Sequence, residues 1–144
     1  MLRESWDEFF LGLAAYLATR SKDPSTKVGA VIARRDNTIA SCGYNGFPRY
    51  ISDAPGLLGH RDEKLKRTIH AEMNAILTAK EPLHGCHLYT THPTCERCAV
   101  HVIQSGITRV VSRNPSLEML ERWGDGFRLA NALYDEANVE VTLL

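Results

Sequence analysis

Two short motifs in the middle of the chain, His70-Ala71-Glu72 and Cys95-Glu96-Arg97-Cys98, constrain its fold more than any other feature. One imidazole and two thiolates are three of the four ligands that zinc prefers, and three protein ligands leave a position open for water, as a catalytic zinc site requires. Glu72 is then free to carry protons. We therefore predict that the fold brings His70, Cys95 and Cys98 together around one catalytic zinc ion per chain, with Glu72 beside it as the catalytic residue.

Each motif alone has a more ordinary explanation. A His-x-Glu sequence is common on helix surfaces, and a Cys-x-x-Cys sequence also occurs in redox pairs and in structural zinc half-sites. An alternative zinc site would use His84 and His87 with the two cysteines, which makes a closed structural site of four protein ligands. Under that alternative, His70→Ala keeps the metal and His87→Ala loses it, whereas the catalytic site predicts the reverse.

The order of further motifs gives a resemblance to a known family. A histidine and two cysteines on zinc, with a glutamate that is not a ligand, are the pattern of zinc nucleobase deaminases. Within that group the chain resembles the deoxycytidylate (dCMP) deaminases over roughly residues 5 to 113. The Gly-Tyr-Asn-Gly-x-Pro segment separates this family from cytidine, guanine and tRNA deaminases better than the zinc motif does. The matching segments are Ser21-Lys22-Asp23-Pro24, Val28-Gly29-Ala30, Gly43-Tyr44-Asn45-Gly46-Phe47-Pro48, His70-Ala71-Glu72-Met73-Asn74-Ala75-Ile76, Cys95 to Cys98 and Ile103-Gln104-Ser105-Gly106-Ile107.

The resemblance implies zinc-dependent hydrolytic deamination of dCMP to dUMP with release of ammonia, which supplies dUMP for thymidylate synthesis. The enzyme is then a hydrolase that acts on the C–N bond of a cyclic amidine. Glu72 is expected to take a proton from the attacking water, pass it to N3 of the pyrimidine and then protonate the departing amine. Two alternatives stay open. One is a deaminase of a related substrate, such as a 5-substituted dCMP, cytidine or guanine; the other is a catalytically silent zinc-bound interaction module, against which the presence of Glu72 argues.

Outside the zinc motifs, the Gly-rich segment around Asn45 is the strongest candidate for substrate binding. A short amide can donate and accept hydrogen bonds at close range. The resemblance assigns Asn45 to the deoxyribose 3′-hydroxyl and the backbone of Ala71 to the base. The ordinary alternative for Asn45 is a turn residue that tolerates left-handed geometry. The 5′-phosphate needs hydrogen-bond donors, and the residues that can supply them locally are Lys22, Ser25, Thr26, Lys27 and Arg49.

Two positions depart from the family pattern. Thr94 stands directly before the first cysteine, where family members usually have proline, and Pro93 comes one residue earlier. Tyr50 replaces the last glycine of a Gly-Tyr-Asn-Gly-x-Pro-x-Gly segment that in many relatives helps to hold a regulatory nucleotide. A bulky side chain impedes that contact where the backbone needs positive φ or a close approach to phosphate. We therefore expect weak or absent regulation by dCTP and dTTP, and a homohexamer by resemblance alone.

Composition limits the other classes of function. With 144 residues, 44% of them hydrophobic, the chain can bury a core without disulfides, and we expect one domain over residues 1–144. A formal net charge of +0 gives no electrostatic footprint for a nucleic-acid polymer or a membrane surface. No apolar run reaches the length of a membrane span, and the N-terminus lacks the order of a signal peptide. We therefore expect a cytoplasmic protein with a small nucleotide substrate.

Residue patterns in the first half of the chain predict a helix and a hairpin. Residues 5–20 read as an amphipathic helix whose apolar stripe of Trp6, Phe9, Phe10, Leu13 and Leu17 faces the core. β-rich runs at 28–33 and 38–42 predict an antiparallel hairpin, and the Gly- and Pro-rich segment 43–60 is expected to be irregular. Cys42 and Cys86 lie in apolar, strand-like runs and are expected to be small buried hydrophobic residues.

From residue 70 onward helices and strands alternate, which implies parallel strands covered by helices. The fold class is therefore α/β, a three-layer α/β/α sandwich with a five-stranded mixed sheet, and the resemblance implies the cytidine-deaminase fold. The expected helices are 70–79, 95–105 and 116–136, the last with a candidate break at 124–126, and the expected strands are 87–90, 108–112 and 139–143.

Overall fold

Five strands of the described chain form one mixed sheet. A computed structural model describes residues 2–144. β1 runs antiparallel to both β2 and β3, whereas β3, β4 and β5 are parallel. The predicted mixed sheet that begins with an antiparallel hairpin is confirmed. The strands are β1 (Gly29–Ala33), β2 (Ile39–Tyr44), β3 (His87–Thr90), β4 (Arg109–Ser112) and β5 (Glu140–Leu143), in the spatial order β2-β1-β3-β4-β5.

Helices cover both faces of this sheet and give the predicted three layers. α1 packs on one face, where Phe10 meets Val31, Tyr89 and Val111. α4, α5 and α6 pack on the other face, because alternate strand residues such as Leu88 point to the opposite side. The helices are α1 (Trp6–Ala18), α2 (Pro55–Gly59), α3 (Arg61–Arg67), α4 (Ala71–Thr78), α5 (Glu96–Gln104) and α6 (Leu117–Glu136).

The apolar stripe predicted for α1 is buried only in part. Phe10 is fully buried, and its ring centroid lies 4.9 Å from that of Tyr89. Trp6 and Phe9 are 51% and 40% exposed, although both of their rings contact Phe10. Since α1 meets the sheet along one narrow line, only positions about one turn apart reach the core. The buried residues of the helix are Phe10, Leu11, Ala14 and Ala18.

The segment predicted to be irregular, residues 43–60, contains more regular structure than expected. Gly43 and Tyr44 belong to β2, and α2 begins at Pro55, whose fixed φ suits the first position of a helix. Helix α3 follows directly and was not predicted. Its two acidic residues lie in the first turn and three of its four basic residues in the last, which favours a helix electrostatically. The prediction missed α3 because its sequence has no apolar periodicity.

Two local expectations are wrong. The candidate break at residues 124–126 is absent, since α6 continues from Leu117 to Glu136. A Cβ at Gly126 would meet the carboxylate of Glu96 in α5, so this glycine leaves room for that side chain beside α6. Cys42 is exposed rather than buried, since it lies on the edge strand β2, whereas Cys86 is buried as predicted. Among the residues that the structure describes, no helix has both the length and the apolar character needed to cross a membrane.

Candidate metal centre and active site

The three predicted metal ligands lie at the starts of two helices. His70 directly precedes α4 and Cys95 directly precedes α5, both with extended backbone geometry. Cys98 lies in the first turn of α5, and its amide donates a hydrogen bond of 3.4 Å to the Cys95 sulfur. Free amide groups and the positive end of the helix dipole stabilise a thiolate at such a position. This placement agrees with the expectation from the sequence.

The three ligand atoms have the separations that a tetrahedral zinc ion requires. His70 Nδ1 lies 3.4 Å from Cys95 Sγ and 3.3 Å from Cys98 Sγ, and all three atoms lie within 4.8 Å of one another. Bonds of about 2.3 Å to sulfur and about 2.0 Å to nitrogen at tetrahedral angles give a sulfur–nitrogen separation of about 3.5 Å. The residues therefore fit one zinc ion without rearrangement of the backbone.

The rival four-ligand site is not assembled. Within residues 2–144, the group of His and Cys residues able to hold a metal consists of His70, Cys95 and Cys98. His87 begins β3, whereas the cysteine motif follows the other end of that strand. A four-residue strand spans about 10 Å, so His87 and the cysteine motif lie beyond opposite ends of β3.

The charges of the cluster suit a metal that displaces protons. The pKa of the Cys95 thiol is lowered, first because the Cys98 thiol donates a hydrogen bond to it and also because His70 does so. The pKa of the Cys98 thiol is raised because it shares its proton with Cys95 and is buried. The pKa of His70 is raised, chiefly by its hydrogen bond to Cys95. A cation that binds here replaces protons that the cluster would otherwise share.

Glu72 lies in the first turn of α4 and its side chain is buried beside this cluster. The residue is 4% exposed. Burial raises the pKa of its carboxyl, while the nearby His70 and a hydrogen bond from Cys98 act in the opposite direction. Glu72 is two residues from His70, so the two side chains do not stack on one helix face. The imidazole can therefore face a metal while the carboxyl lies alongside it.

Segment 43–46 lies against the start of α4 and brings Asn45 close to the metal ligands. A Cβ at Gly43 would lie 2.7 Å from the Ala75 nitrogen, so only glycine allows this approach of β2 and α4. The backbones of Gly46 and Ile69 exchange two hydrogen bonds of 3.1 and 2.8 Å. Since Ile69 directly precedes His70, the bridge places Asn45 beside a metal ligand in the fold.

Asn45 also organises the neighbouring segment. It is 6% exposed. Its Oδ1 accepts a hydrogen bond of 2.9 Å from the Val28 amide, and its Nδ2 donates one of 2.9 Å to the Thr26 carbonyl. A side-chain amide has four hydrogen-bonding positions in all, so two remain for a ligand. Asn45 is not among the residues with positive φ, so the left-handed turn alternative is wrong, and the substrate role stays a prediction.

The candidate phosphate contacts lie around the same segment but have different neighbours. Lys22 forms an exposed ion pair of 2.7 Å with Asp53. Ser25 and Thr26 sit in a turn beside Asn45, and Lys27 donates a hydrogen bond to the Ser21 carbonyl. Arg49 is exposed and comes three residues after Gly46 in the chain. The structure thus brings Ser25, Thr26 and Lys27 near Asn45, and it places Lys22 and Arg49 at the periphery.

Sequence reasoning missed Lys64, which is 3% exposed. Its ammonium donates hydrogen bonds to Asp23 Oδ1 at 3.1 Å and to Ser25 Oγ at 3.2 Å. The same Asp23 oxygen accepts the amides of Ser25 and Thr26 at 2.8 and 3.1 Å. The Asp-Pro-Ser sequence could have indicated such an aspartate turn. Nothing near Lys64 in the sequence marks it as buried.

The two positions that depart from the family pattern are explained structurally. Thr94 is buried, and its hydroxyl lies 2.7 Å from the hydroxyl of Tyr134 on α6. A hydrogen bond to the C-terminal helix therefore takes the place of a proline ring before Cys95. Tyr50 has a φ of 68° and a fully exposed side chain. The backbone keeps the left-handed geometry that favours glycine, at a strain cost of about 1 kcal/mol.

Comparison with known proteins connects this arrangement to a family. The cytidine and deoxycytidylate deaminase zinc-binding region matches residues 4–113. That range contains both zinc motifs and Asn45. The chain belongs to this family. A deaminase from the luxG 3′ region of Aliivibrio fischeri is 42% identical over 139 residues, which cover 96% of this chain and 93% of that protein.

Other relatives carry more specific names. A probable deoxycytidylate deaminase of Drosophila melanogaster is 36% identical over 148 residues, which cover 94% of this chain and 70% of that protein. The crystal structure of the dCMP deaminase from cyanophage S-TIM5 in complex with dCMP and dUMP has a TM-score of 0.78. It is 24% identical and matches the full length of both chains. This structural similarity confirms the predicted cytidine-deaminase fold.

Proposed function

We propose that this protein catalyses the zinc-dependent hydrolytic deamination of dCMP to dUMP with release of ammonia. The observation that carries the proposal is a buried carboxyl, Glu72, beside three ligands that leave one zinc position open. A redox pair or a closed structural zinc site has no use for such a carboxyl. The similarity to a probable deoxycytidylate deaminase supports dCMP as the substrate.

In this proposal His70, Cys95 and Cys98 hold the metal and Glu72 moves the protons. Zinc, when bound there, lowers the pKa of a water ligand towards ~7 and so supplies a nucleophile at neutral pH. Glu72 would accept a proton from the attacking water and donate it to N3 of the pyrimidine, while the water oxygen bonds to C4. Glu72 then carries the second water proton to the amino group, and the C4–N bond breaks. One dCMP and one water thus give one dUMP and one ammonia.

The nucleotide is proposed to lie between the start of α4 and segment 21–28. Asn45 binds the deoxyribose 3′-hydroxyl, and the backbone of Ala71 contacts the base. The Gly46–Ile69 bridge supports this placement, because it holds Asn45 beside His70. The phosphate contacts come from the set named above, Lys22, Ser25, Thr26, Lys27 and Arg49.

The test is ammonia release by the zinc-loaded protein from dCMP, deoxycytidine, dCTP, CMP, 5-methyl-dCMP and guanine, with Glu72→Ala as the control. We expect a strong preference for dCMP that disappears in the variant. If dCMP is not a substrate but deoxycytidine, 5-methyl-dCMP or guanine is, the proposed zinc chemistry stands and the assignment of dCMP as the substrate is wrong. A zinc-loaded protein that is silent on all six compounds would support the interaction module instead.

Assembly and regulation belong to the same proposal. We propose a single-domain cytoplasmic enzyme that supplies dUMP for thymidylate synthesis and that assembles as a homohexamer, as the family resemblance implies. Light scattering after size exclusion measures the oligomer directly. Tyr50 occupies the glycine position with an exposed phenol ring, so we expect dCTP and dTTP to change the dCMP kinetics little. Sigmoidal kinetics that become hyperbolic on addition of dCTP would contradict this expectation.

A further inference from the structure

Lys64 is a buried lysine that the proposed chemistry does not use. Its side chain is 4% exposed and pairs with Asp23, whose side chain is 11% exposed. Burying two such ions costs several kcal/mol for each of them, and apolar replacements of a buried pair are often neutral or stabilising. The pair is therefore a poor means of stabilising the fold, and a conformational or electrostatic role explains it better.

The pair joins two segments that are distant in the sequence. Residues 47–68 leave the sheet after Gly46 and return at Ile69, where two backbone hydrogen bonds close the excursion. Side chains of this excursion contact segment 21–28 through Lys64 with Asp23 and Ser25, and through the exposed pair of Lys22 with Asp53. Both connections end on residues 22–25. We call the two segments together, residues 21–28 and 47–68, the loop wall.

The turn fixed by Lys64 carries candidate phosphate contacts. Asp23 Oδ1 receives the amides of Ser25 and Thr26 and the ammonium of Lys64. Lys64 also bonds to Ser25 Oγ and so sets the direction of that hydroxyl. Thr26 is in turn held by Asn45. Without the Lys64 charge, the Asp23 carboxylate would stand unpaired below this turn and would repel a phosphate dianion.

We propose that Lys64 is a positioning residue that sets the preference of this site for a nucleotide over the corresponding nucleoside. It fixes the 23–26 turn through Asp23 and Ser25, and it neutralises the carboxylate that accepts the amides of Ser25 and Thr26. The inference rests on the proposed function, because it assigns the loop wall to the phosphate of dCMP. Lys64 does not touch the reacting atoms in this scheme.

The test compares dCMP with deoxycytidine in Lys64→Met and in the exposed neighbour Lys66→Met. Loss of charge-assisted hydrogen bonds predicts a fall of about 10- to 100-fold in the ratio of kcat/KM for dCMP to that for deoxycytidine. The fall should come from KM for dCMP, with kcat and the deoxycytidine kinetics nearly unchanged. Lys66→Met should keep the wild-type ratio, and both variants should keep one zinc per chain.

A second variant covers the case in which Lys64→Met does not fold. Asp23→Asn with Lys64→Met leaves no unpaired charge in the interior and still lacks the lysine that fixes the turn, so we expect a reduced ratio there as well. A wild-type ratio in both variants, or equal losses for the two substrates, would overturn the inference. Absence of dCMP turnover in the wild type would instead overturn the proposed function, so the two failures are distinguishable.

Discussion

The two halves of the candidate site are built in different ways. The metal half comes from two short motifs 25 positions apart, since His70 and Cys95 each directly precede a helix and Cys98 lies in the first turn of the second helix. The loop half depends on single side-chain contacts between distant residues, since Asn45 holds Thr26 across 19 positions and Lys64 holds Asp23 across 41. Short motifs can define the first half. The second half exists only after the chain has folded.

This difference separates the effects that substitutions should have. In the metal half a side chain takes part in the proposed reaction itself, so its removal should abolish turnover. In the loop half a side chain mostly holds a neighbour, and its removal should change KM and stability. The predictions below test this separation.

Loss of a metal ligand should have the largest effect. His70→Ala removes one of three protein ligands, and we expect zinc content to fall from one per chain to near zero, with turnover at background. His87→Ala is the matched control, because His87 lies at the other end of β3 and should leave the zinc content unchanged. Metal analysis of the purified variants measures both. Zinc that persists in His70→Ala and is lost in His87→Ala would restore the four-ligand structural site.

Asn45→Ala should damage both stability and substrate binding. It leaves the Val28 amide and the Thr26 carbonyl without their present partners, which costs about 1–3 kcal/mol for each buried group that stays unpaired. KM for dCMP should rise as well. Denaturant unfolding and initial rates measure the two effects, with the exposed Asn131→Ala as control. A variant of wild-type stability would show that water replaces the amide without cost.

Tyr134→Phe tests whether the metal half also depends on residues outside its two motifs. The change leaves the buried Thr94 hydroxyl, next to Cys95, without its partner. We expect a loss of about 1–2 kcal/mol in the free energy of unfolding and a modest loss of zinc affinity. Competition with a chromogenic chelator measures the affinity. An unchanged affinity would mean that the loop before Cys95 needs no support from α6.

The smallest effect concerns the pH dependence of the loop half. Although burial raises it, hydrogen bonds from the Ser25 and Thr26 amides and from Lys64 bring the pKa of the Asp23 carboxyl below its usual value. A pKa that is lower in the folded state stabilises the fold above the unfolded-state pKa of about 3.9, and this contribution is lost as pH falls through the folded-state pKa.

Denaturant unfolding of the wild type and of Asp23→Asn between pH 3 and 7 measures this contribution. The stability advantage of the wild type should be greatest near neutral pH and should shrink below about pH 4. Zinc loss in acid affects both proteins and cancels in the difference. A difference that does not depend on pH would mean that folding does not lower the pKa of the Asp23 carboxyl.

The sequence predicted the sheet and the metal half well because both depend on short-range patterns. Alternating apolar runs define the strands, and His70, Cys95 and Cys98 follow a spacing that has few uses. Helix α3 was not predicted, because it has one buried lysine and a favourable placement of charges instead of an apolar stripe. The partial exposure of Trp6 and Phe9 in α1 was not predicted. Helical spacing identifies the apolar face of a helix but not the width of its contact with the sheet.

The loop half could not be predicted for a different reason. Lys64 and Asp23 are ordinary charged residues in sequence, and most such residues are solvated. Their pairing depends on the path of residues 47–68, which no local pattern determines. The pair of Thr94 and Tyr134 is a similar case. The sequence shows that Thr94 stands where proline is usual, but it does not show that the Tyr134 hydroxyl forms a hydrogen bond with Thr94.

In the proposed reaction, the Glu72 carboxyl beside the three metal ligands performs the proton transfers that convert dCMP to dUMP. The most direct measurement is the rate of dUMP formation from dCMP by the wild type and by Glu72→Gln, each first shown to hold one zinc per chain. We expect a rate about 100- to 10,000-fold lower in the variant at equal zinc content. Equal rates in the two proteins would contradict it.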